Sequence, residues 1–375
     1  MADLRVEKLA RILVEYSAHI QKGDRVLVES EPAAEPLIRA LYKHILQAGG
    51  HPHLAMNLGG QISGSGVDTV FYEHANEEQL DYVPPFLKYA YDTFESRIRV
   101  HALPNTKALT NADPAKQARR ARVLEPILQA QFTRGGRGEF KWVTTLFPTH
   151  AYAQDAEMSL AEYEDFVYGA CHVGVNDGDA VAYWKGLQQE QQRLVDALAG
   201  HDRVQVKGPN VDLSLSIKGR RFLNACGEHN MPDGEIFTGP VEQSVNGWIR
   251  FEFPCVSHGN EVQGVELRFR DGRVFEAKAE KNDAFLQRML EADAGARFLG
   301  EFAIGNNFGV QRITREILFD EKFGGTIHLA LGAGYPDTGS VNKSSIHWDL
   351  ICDVRRDSEI TVDGALFYKD GAFRA

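Results

Sequence analysis

The segment RVLVESEPAAEPLIRALYKHILQAGGHPHLAM, residues 25–56, contains two short apolar runs separated by an amphipathic stretch. Arg25–Glu29 and His53–Met56 predict short strands, and residues 33–48 carry apolar side chains at helical spacing. Gly49 and Gly50 end that helix, because glycine readily takes the left-handed conformation of a helix cap. A β-α-β unit joins parallel strands, so the sequence predicts an α/β fold with a mostly parallel sheet.

The alternation of helix and strand continues to about residue 200. Further helices are predicted at 4–20, 114–132, 159–171 and 180–199, and further strands at 97–103 and 140–146. The segment Gly200-His201-Asp202 is the predicted boundary between domains. Residues 1–200 therefore form a predicted N-terminal α/β domain, and residues 201–375 form the C-terminal domain.

The second half of the chain has short alternating runs that are typical of strands. They are predicted at 204–206, 211–217, 248–253, 265–269 and 326–331, and around His347. Asp271-Gly272 between two such runs predicts a tight hairpin. One helix, at 283–298, interrupts this pattern, so we expect a β-rich α+β domain.

Composition limits the classes of function. The chain has 375 residues, a net charge of -11 and a pI near 5.7. An acidic chain is a poor match for a nucleic-acid backbone, which attracts clustered Lys and Arg, so no nucleic-acid partner is expected. Neither an apolar run of membrane-spanning length nor a basic leader is visible, so no membrane association is expected. The four scattered cysteines contain no Cys-x-x-Cys pair and indicate free thiols in the cytoplasm.

Five potential metal ligands lie in short strand-like contexts of the C-terminal domain: Glu235, Glu301, His328, His347 and Asp349. Three carboxylates and two imidazoles suit two divalent cations, which can activate water and polarise a carbonyl. His347 and Asp349 are two apart and would share one side of a strand. Taken singly, each residue has an ordinary alternative, since His328 could be a core histidine and the glutamates could be surface charges. Metal-assisted hydrolysis is the first interpretation.

Four motifs carry a resemblance to a known family. They are GEIFTGP at 234–240, LGEFAIG at 299–305, ILFDEKFGGTIHLALG at 317–332 and NKSSIHWD at 342–349. The chain resembles the metallo-aminopeptidases of the aminopeptidase T/aminopeptidase S type, family M29. LVEYS at 13–17 and KGDRVLV at 22–28 extend the resemblance close to the N-terminus.

The resemblance implies a catalytic C-terminal domain with two divalent ions per chain, Zn, Co or Mn, bound by the five residues above. It implies a metal-bound hydroxide that hydrolyses the N-terminal bond of short peptides, in a homodimer with an enclosed active site. Glu321 and Tyr335 match residues at the family's active site. Glu301 is expected to bridge the ions, Glu301 or Glu321 to shuttle the proton, and Tyr335 to donate a hydrogen bond to the oxyanion. Asn306–Gly309 departs from the family pattern, which has a Pro/Ser-rich loop there.

Two other functions remain open at this point. A related fold carries a mononuclear iron dioxygenase that cleaves a dihydroxypyridine ring, for which His328, His347 and Asp349 would suffice. The presence of Glu235 and Glu301 argues against this alternative. A catalytically silent binding or scaffold protein is the second, and the intact ligand set argues against it.

Overall fold

The computed structural model describes residues 3–58, 66–257 and 259–374. The chain folds into two compact units, the first formed by residues 1–183 with 227–231 and the second by 184–226 with 232–375. As a boundary between functional domains, residue 200 stays a prediction. The helix at 180–198 lies mostly in the second unit, where Leu194 and Leu198 join the core.

The strands in chain order are β1 (Arg25–Ser30), β2 (His51–Met56), β3 (Ser96–His101), β4 (Lys141–Leu146), β5 (Arg203–Gly208), β6 (Val211–Ser216), β7 (Leu223–Ala225), β8 (Asn230–Met231), β9 (Glu235–Thr238), β10 (Asn246–Phe251), β11 (Cys255–Ser257), β12 (Asn260–Val262), β13 (Val265–Arg270), β14 (Arg273–Lys278), β15 (Leu299–Gly305), β16 (Thr326–Gly332), β17 (His347–Asp353), β18 (Glu359–Val362), β19 (Ala365–Lys369) and β20 (Ala372–Phe373). The α-helices are α1 (Leu4–Ile12), α2 (Glu35–Gln47), α3 (Asp68–His74), α4 (Glu77–Asp81), α5 (Pro85–Thr93), α6 (Pro114–Gly135), α7 (His150–Asp155), α8 (Leu160–Ala170), α9 (Ala180–Leu198), α10 (Asp283–Leu290) and α11 (Ile317–Asp320). No helix among the described residues combines the length and the apolar character that crossing a membrane requires.

The first unit contains a parallel five-stranded sheet in the order β2-β1-β3-β4-β8, which confirms the predicted α/β class. Leu27 of β1 packs with α5 and α6 on one face of this sheet. The predicted helix at 4–20 is α-helical only to Ile12, and one π-helical turn, Leu13–Ser17, follows it.

The second unit is β-rich, as predicted. An eight-stranded sheet has the order β14-β13-β10-β6-β5-β18-β19-β20, a five-stranded sheet has the order β17-β16-β15-β9-β7, and β11 and β12 form a two-stranded sheet. Apolar side chains from both larger sheets, such as Leu213, Phe251, Phe302 and Leu329, share one core. The hairpin at Asp271-Gly272 is confirmed, because both residues have positive φ and connect the antiparallel strands β13 and β14.

The predicted helix at 283–298 is wrong in its second half, since α10 ends at Leu290. Asp293 accepts hydrogen bonds from the backbone N–H groups of Gly295 and Ser345 and from the Ser344 hydroxyl. An aspartate that bonds nearby backbone in this way competes with helix continuation. These bonds also fix the segment that leads into His347.

Candidate metal centre

Four adjacent antiparallel strands bring the five predicted ligands to one face of the five-stranded sheet. Strand β9 carries Glu235, β15 carries Glu301, β16 carries His328, and β17 carries both His347 and Asp349. Apolar residues at the alternate positions face the core, and a strand's period of two places the ligands on the opposite face.

The residues between the ligands on this face are small. Ala303 pairs with His328, Ala330 lies between Glu301 and Asp349, and Gly332 pairs with His347. Gly332 has φ +100, and a Cβ there would lie 2.2 Å from the carbonyl oxygen of Ile346. Glycine is therefore required at this position, and the small side chains leave room above the sheet for bound groups.

Glu301 lies between the two imidazoles. Its Oε1 is 3.1 Å from His328 Nε2, and its Oε2 is 3.6 Å from His347 Nε2. Glu235 Oε2 is 3.3 Å from His328 Nε2, and Asp349 Oδ2 is 3.6 Å from His347 Nε2. Donor atoms lie within 4.8 Å of one another in three sets: Glu235, Glu301 and His328; Glu301, His347 and Asp349; and Glu321, His328 and Asp349.

The donor atoms fit divalent cations. Glu235 Oε2 and Asp349 Oδ1 are buried and accept no hydrogen bond from the described residues. A buried carboxylate oxygen without a partner is costly, and a coordinated cation removes that cost. Carboxylate and imidazole donors together suit borderline ions of the Zn, Co and Mn type.

Burial and charge act against each other at the carboxylates. Burial raises the pKa of Glu235, although Lys322 and His328 oppose this shift, and burial raises the pKa of Asp349 to about 6. Burial also disfavours the charged form of Glu301, but its hydrogen bond to His328 and the charge of His347 lower its pKa overall. A bound divalent ion would favour the ionised form of Glu235 and Asp349 and so oppose the effect of burial.

The backbone orients the His347 ring. Its Nδ1 lies 2.8 Å from the Ala333 carbonyl oxygen, which can only accept, so Nδ1 carries the proton and Nε2 faces Glu301 and Asp349. Ligand histidines commonly have such a backbone acceptor on the second nitrogen. The Tyr335 ring packs edge-on against His347, with centroids 5.2 Å apart, and also against Phe237. Tyr335 is 41% exposed, so it lies at the open side of the cluster.

Lys322 is a site residue that the sequence analysis missed. Only 1% of it is exposed, and its Nζ lies 2.5 Å from Glu235 Oε1, 2.7 Å from Glu321 Oε1 and 3.5 Å from Asp233 Oδ1. Burial disfavours its charge, yet these three carboxylates hold the pKa of Lys322 well above its usual value. The ammonium thus compensates acids that also lie beside the metal-binding positions.

The segment that departs from the family pattern supports Lys322. The Asn307 backbone N–H donates to the Lys322 carbonyl oxygen at 2.9 Å, and its side-chain amide donates to the Asp233 carbonyl oxygen at 2.8 Å. The structure brings all seven predicted site residues into one cluster, but their roles as ligands or catalytic groups stay predictions.

Comparison with known proteins gives a consistent result. The family model described as "Thermophilic metalloprotease (M29)" matches residues 2–373. Aminopeptidase 2 of Geobacillus stearothermophilus is 26% identical over 411 residues, which cover 98% of this chain and 95% of the relative. The structure of wild-type AmpT from Thermus thermophilus matches with a TM-score of 0.81 and 22% identity, over 99% of both chains. The 2,5-dihydroxypyridine dioxygenase of Pseudomonas putida KT2440 matches with a TM-score of 0.61 and 12% identity, over 99% of this chain and 97% of the other. At these identities the two structural matches show the fold alone.

Proposed function

The chain belongs to the M29 family of metalloproteases, and we propose that it removes N-terminal residues from short peptides at a centre that binds two divalent ions. It is a metal-dependent aminopeptidase, in keeping with its family and with the relatives that match almost all of its length. The observation that supports two ions is the position of Glu301, which directs one oxygen toward each imidazole.

The ligands divide into two sets that share Glu301. Glu235, Glu301 and His328 would hold one ion, and Glu301, His347 and Asp349 would hold the other. When bound, the ions supply Lewis acidity, which lowers the pKa of a water molecule and polarises the scissile carbonyl. The small residues Ala303, Ala330 and Gly332 leave space for the peptide bond on the same face.

Glu321 is the residue that we propose to carry the proton. Its Oε1 accepts a charge-assisted hydrogen bond from Lys322, which holds the side chain beside the cluster. As a base it takes the proton of the attacking water, and as an acid it returns that proton to the leaving amine. Glu301 is less suited to this role, because both of its oxygens face the imidazoles.

Tyr335 is proposed to stabilise the oxyanion. Its ring is fixed by edge contacts with His347 and Phe237 and lies at the open side of the cluster. A tyrosine hydroxyl keeps its proton at neutral pH and can donate a hydrogen bond to a developing oxyanion. The donated bond would strengthen as negative charge develops on the carbonyl oxygen.

The proposal is tested by metal counting and a peptide panel. Purified protein should contain about two Zn, Co or Mn ions per chain and release the first residue of short peptides, because two ligand sets are present. A chelator should abolish release, and restoring the metal should recover it. Peptides with an acetylated N-terminus are the matched control and should stay intact. Full activity without metal would refute the proposal.

The dioxygenase alternative has less support. It would use one iron at His328, His347 and Asp349, yet Glu235 and Glu301 lie within 3.3 Å of the same His328. The match to the dioxygenase structure shows the fold alone. One iron per chain together with oxygen uptake would favour this alternative over hydrolysis.

We also propose that the chain forms a homodimer. Strand β2 is an edge strand whose side chains, Leu54 among them, are mostly exposed, and Tyr42 and Leu46 of α2 are further large exposed apolar residues. Such an edge usually needs to be covered. Sedimentation of the wild type should give twice the chain mass of 41.8 kDa. Leu46→Glu should shift the protein toward the mass of one chain. A wild-type protein that sediments as a monomer at all concentrations would refute the dimer.

A cytoplasmic location completes the proposal. The four cysteines are buried and free, which suits a reducing compartment. Fractionation of cells with an antibody against the chain tests this location, and recovery outside the cytoplasmic fraction would refute it.

A further inference from the structure

A crevice lies at the carboxyl ends of three parallel strands in the first unit. Strands β1 and β3 are neighbours, and the chain runs from β1 outward to β2 but from β3 outward to β4 on the opposite side. Open parallel sheets bind ligands outside the carboxyl ends of their strands at such a reversal. The cavity here has a volume of about 310 Å³, and its lining includes Glu29, Glu31, Met56, Leu87, Arg99 and His101.

The chemistry of this crevice differs from that of a phosphate site. A phosphate site at this point needs glycine and free backbone N–H groups at the start of the following helix. Here two acids, Glu29 and Glu31, lie where β1 ends, and Pro32 follows them. Glu29 is already paired with Arg99, so Glu31 is the acid that a ligand meets, and it favours a positive or hydrogen-donating group over a phosphate.

The side chains of Glu31 and Arg99 can each form a further hydrogen bond with a ligand. Glu31 is 4% exposed, and among the described residues its side-chain carboxylate accepts one hydrogen bond from another residue, from the Ala102 N–H at 2.7 Å. Arg99 binds Glu29 through Nε and Nη2, at 3.2 and 3.0 Å, and Nη2 also meets the Tyr91 hydroxyl. Among the described residues, none accepts a hydrogen bond from Arg99 Nη1. A carboxylate and a guanidinium nitrogen that can each form a further hydrogen bond therefore line the same crevice.

The remaining wall is apolar. Met56, Phe86 and Leu87 line it, and Met56 and Phe86 are large exposed side chains. The cavity volume is at the lower end of the range for ligand pockets, about 300 to 1,000 Å³, so a small ligand fits best.

We propose that this crevice binds a free α-amino acid with an apolar side chain. Glu31 would receive its ammonium, Arg99 Nη1 its carboxylate, and Met56, Phe86 and Leu87 its side chain. The groups of the crevice define this class of ligand without reference to the catalytic centre. A free amino acid is also what an aminopeptidase releases, so the crevice would sense product; this link alone rests on the proposed function.

Methyl NMR of the metal-loaded enzyme tests the proposal at a single residue. The chain has five methionines, so labelling their methyl groups gives few signals, and Met56→Leu identifies the signal of Met56. L-leucine should shift this signal saturably. 4-Methylpentanoate lacks the ammonium and 3-methylbutylamine lacks the carboxylate, so each should bind about tenfold more weakly or worse.

The matched variants are Glu31→Gln and Glu35→Gln. The first should weaken leucine binding by about tenfold or more, because it removes a charged hydrogen-bond partner. The second removes an exposed carboxylate that pairs with Arg39, and it should bind leucine like the wild type. His347→Ala should keep the Met56 shift, which separates this site from leucine bound at the metal centre. No shift of Met56 in the wild type, or equal shifts with both analogues, would overturn the proposal whether or not the protein hydrolyses peptides.

Discussion

Glu301→Gln is expected to lower peptidase activity by about 1,000-fold or more, since losing a shared ligand removes several kcal/mol of transition-state stabilisation. Glu301 is the ligand that the Glu235–Glu301–His328 set and the Glu301–His347–Asp349 set share, and it directs one oxygen toward each imidazole. The glutamine amide has one oxygen and no charge, so it cannot serve both ions. Rates on a short peptide and the metal content of the same preparation provide the measurement.

The metal content distinguishes the loss of a bridging ligand from the loss of a catalytic base, since only the first should reduce the number of bound ions. We expect Glu301→Gln to retain clearly fewer than two ions per chain while its circular dichroism stays unchanged. Glu276→Gln is the matched control, because Glu276 lies on β14 of the same unit with a side chain that is 59% exposed. It should keep wild-type activity and metal. A Glu301→Gln protein with two ions and wild-type activity would exclude a bridging role.

Lys322→Met is expected to destabilise the metal-free protein by about 3–5 kcal/mol, the usual effect of removing one partner from a buried ion pair. The substitution would leave Glu235, Glu321 and Asp233 without their shared cation. Bound ions replace part of the lost positive charge, so the destabilisation should be smaller in the metal-loaded protein. Urea unfolding with and without chelator gives both values.

The control for Lys322→Met is Lys278→Met. Lys278 pairs with Glu266, but its side chain is 61% exposed, and exposed pairs contribute about 0–1 kcal/mol. The free energy of unfolding of Lys278→Met should depend on metal no more strongly than that of the wild type. Equal stability of Lys322→Met and the wild type in chelator would show that the three acids do not need the ammonium.

Local patterns in the sequence predict the fold class of each unit, but not the order of the strands in its sheets. The spacing of Leu37, Ile38, Leu41 and Ile45 predicts α2, and this helix lies between two parallel strands. The predicted end of a helix is wrong where a polar side chain forms hydrogen bonds with the backbone that compete with continuation of the helix. Asp293 bonds to Gly295 and Ser345, and for that reason α10 stops earlier than its pattern predicts.

The composition of the candidate site was only partly visible in the sequence. Alternation along β16 and β17 indicates which side chains share a face, but not that Glu235 and Glu301 lie on neighbouring strands. The family resemblance supplied that grouping. Lys322 was invisible because lysine is ordinarily exposed, and nothing local in DEKFGG indicates that its ammonium is buried among three acids.

The strands that carry the predicted ligands are neighbours in the sheet but distant along the chain. An ion held by side chains of β9, β15 and β16 would act as a cross-link that closes long loops, and such closures restrict the unfolded chain. Metal would then slow heat inactivation as well as enable turnover, so the half-life of the enzyme at high temperature would depend on the metal supply of the cell.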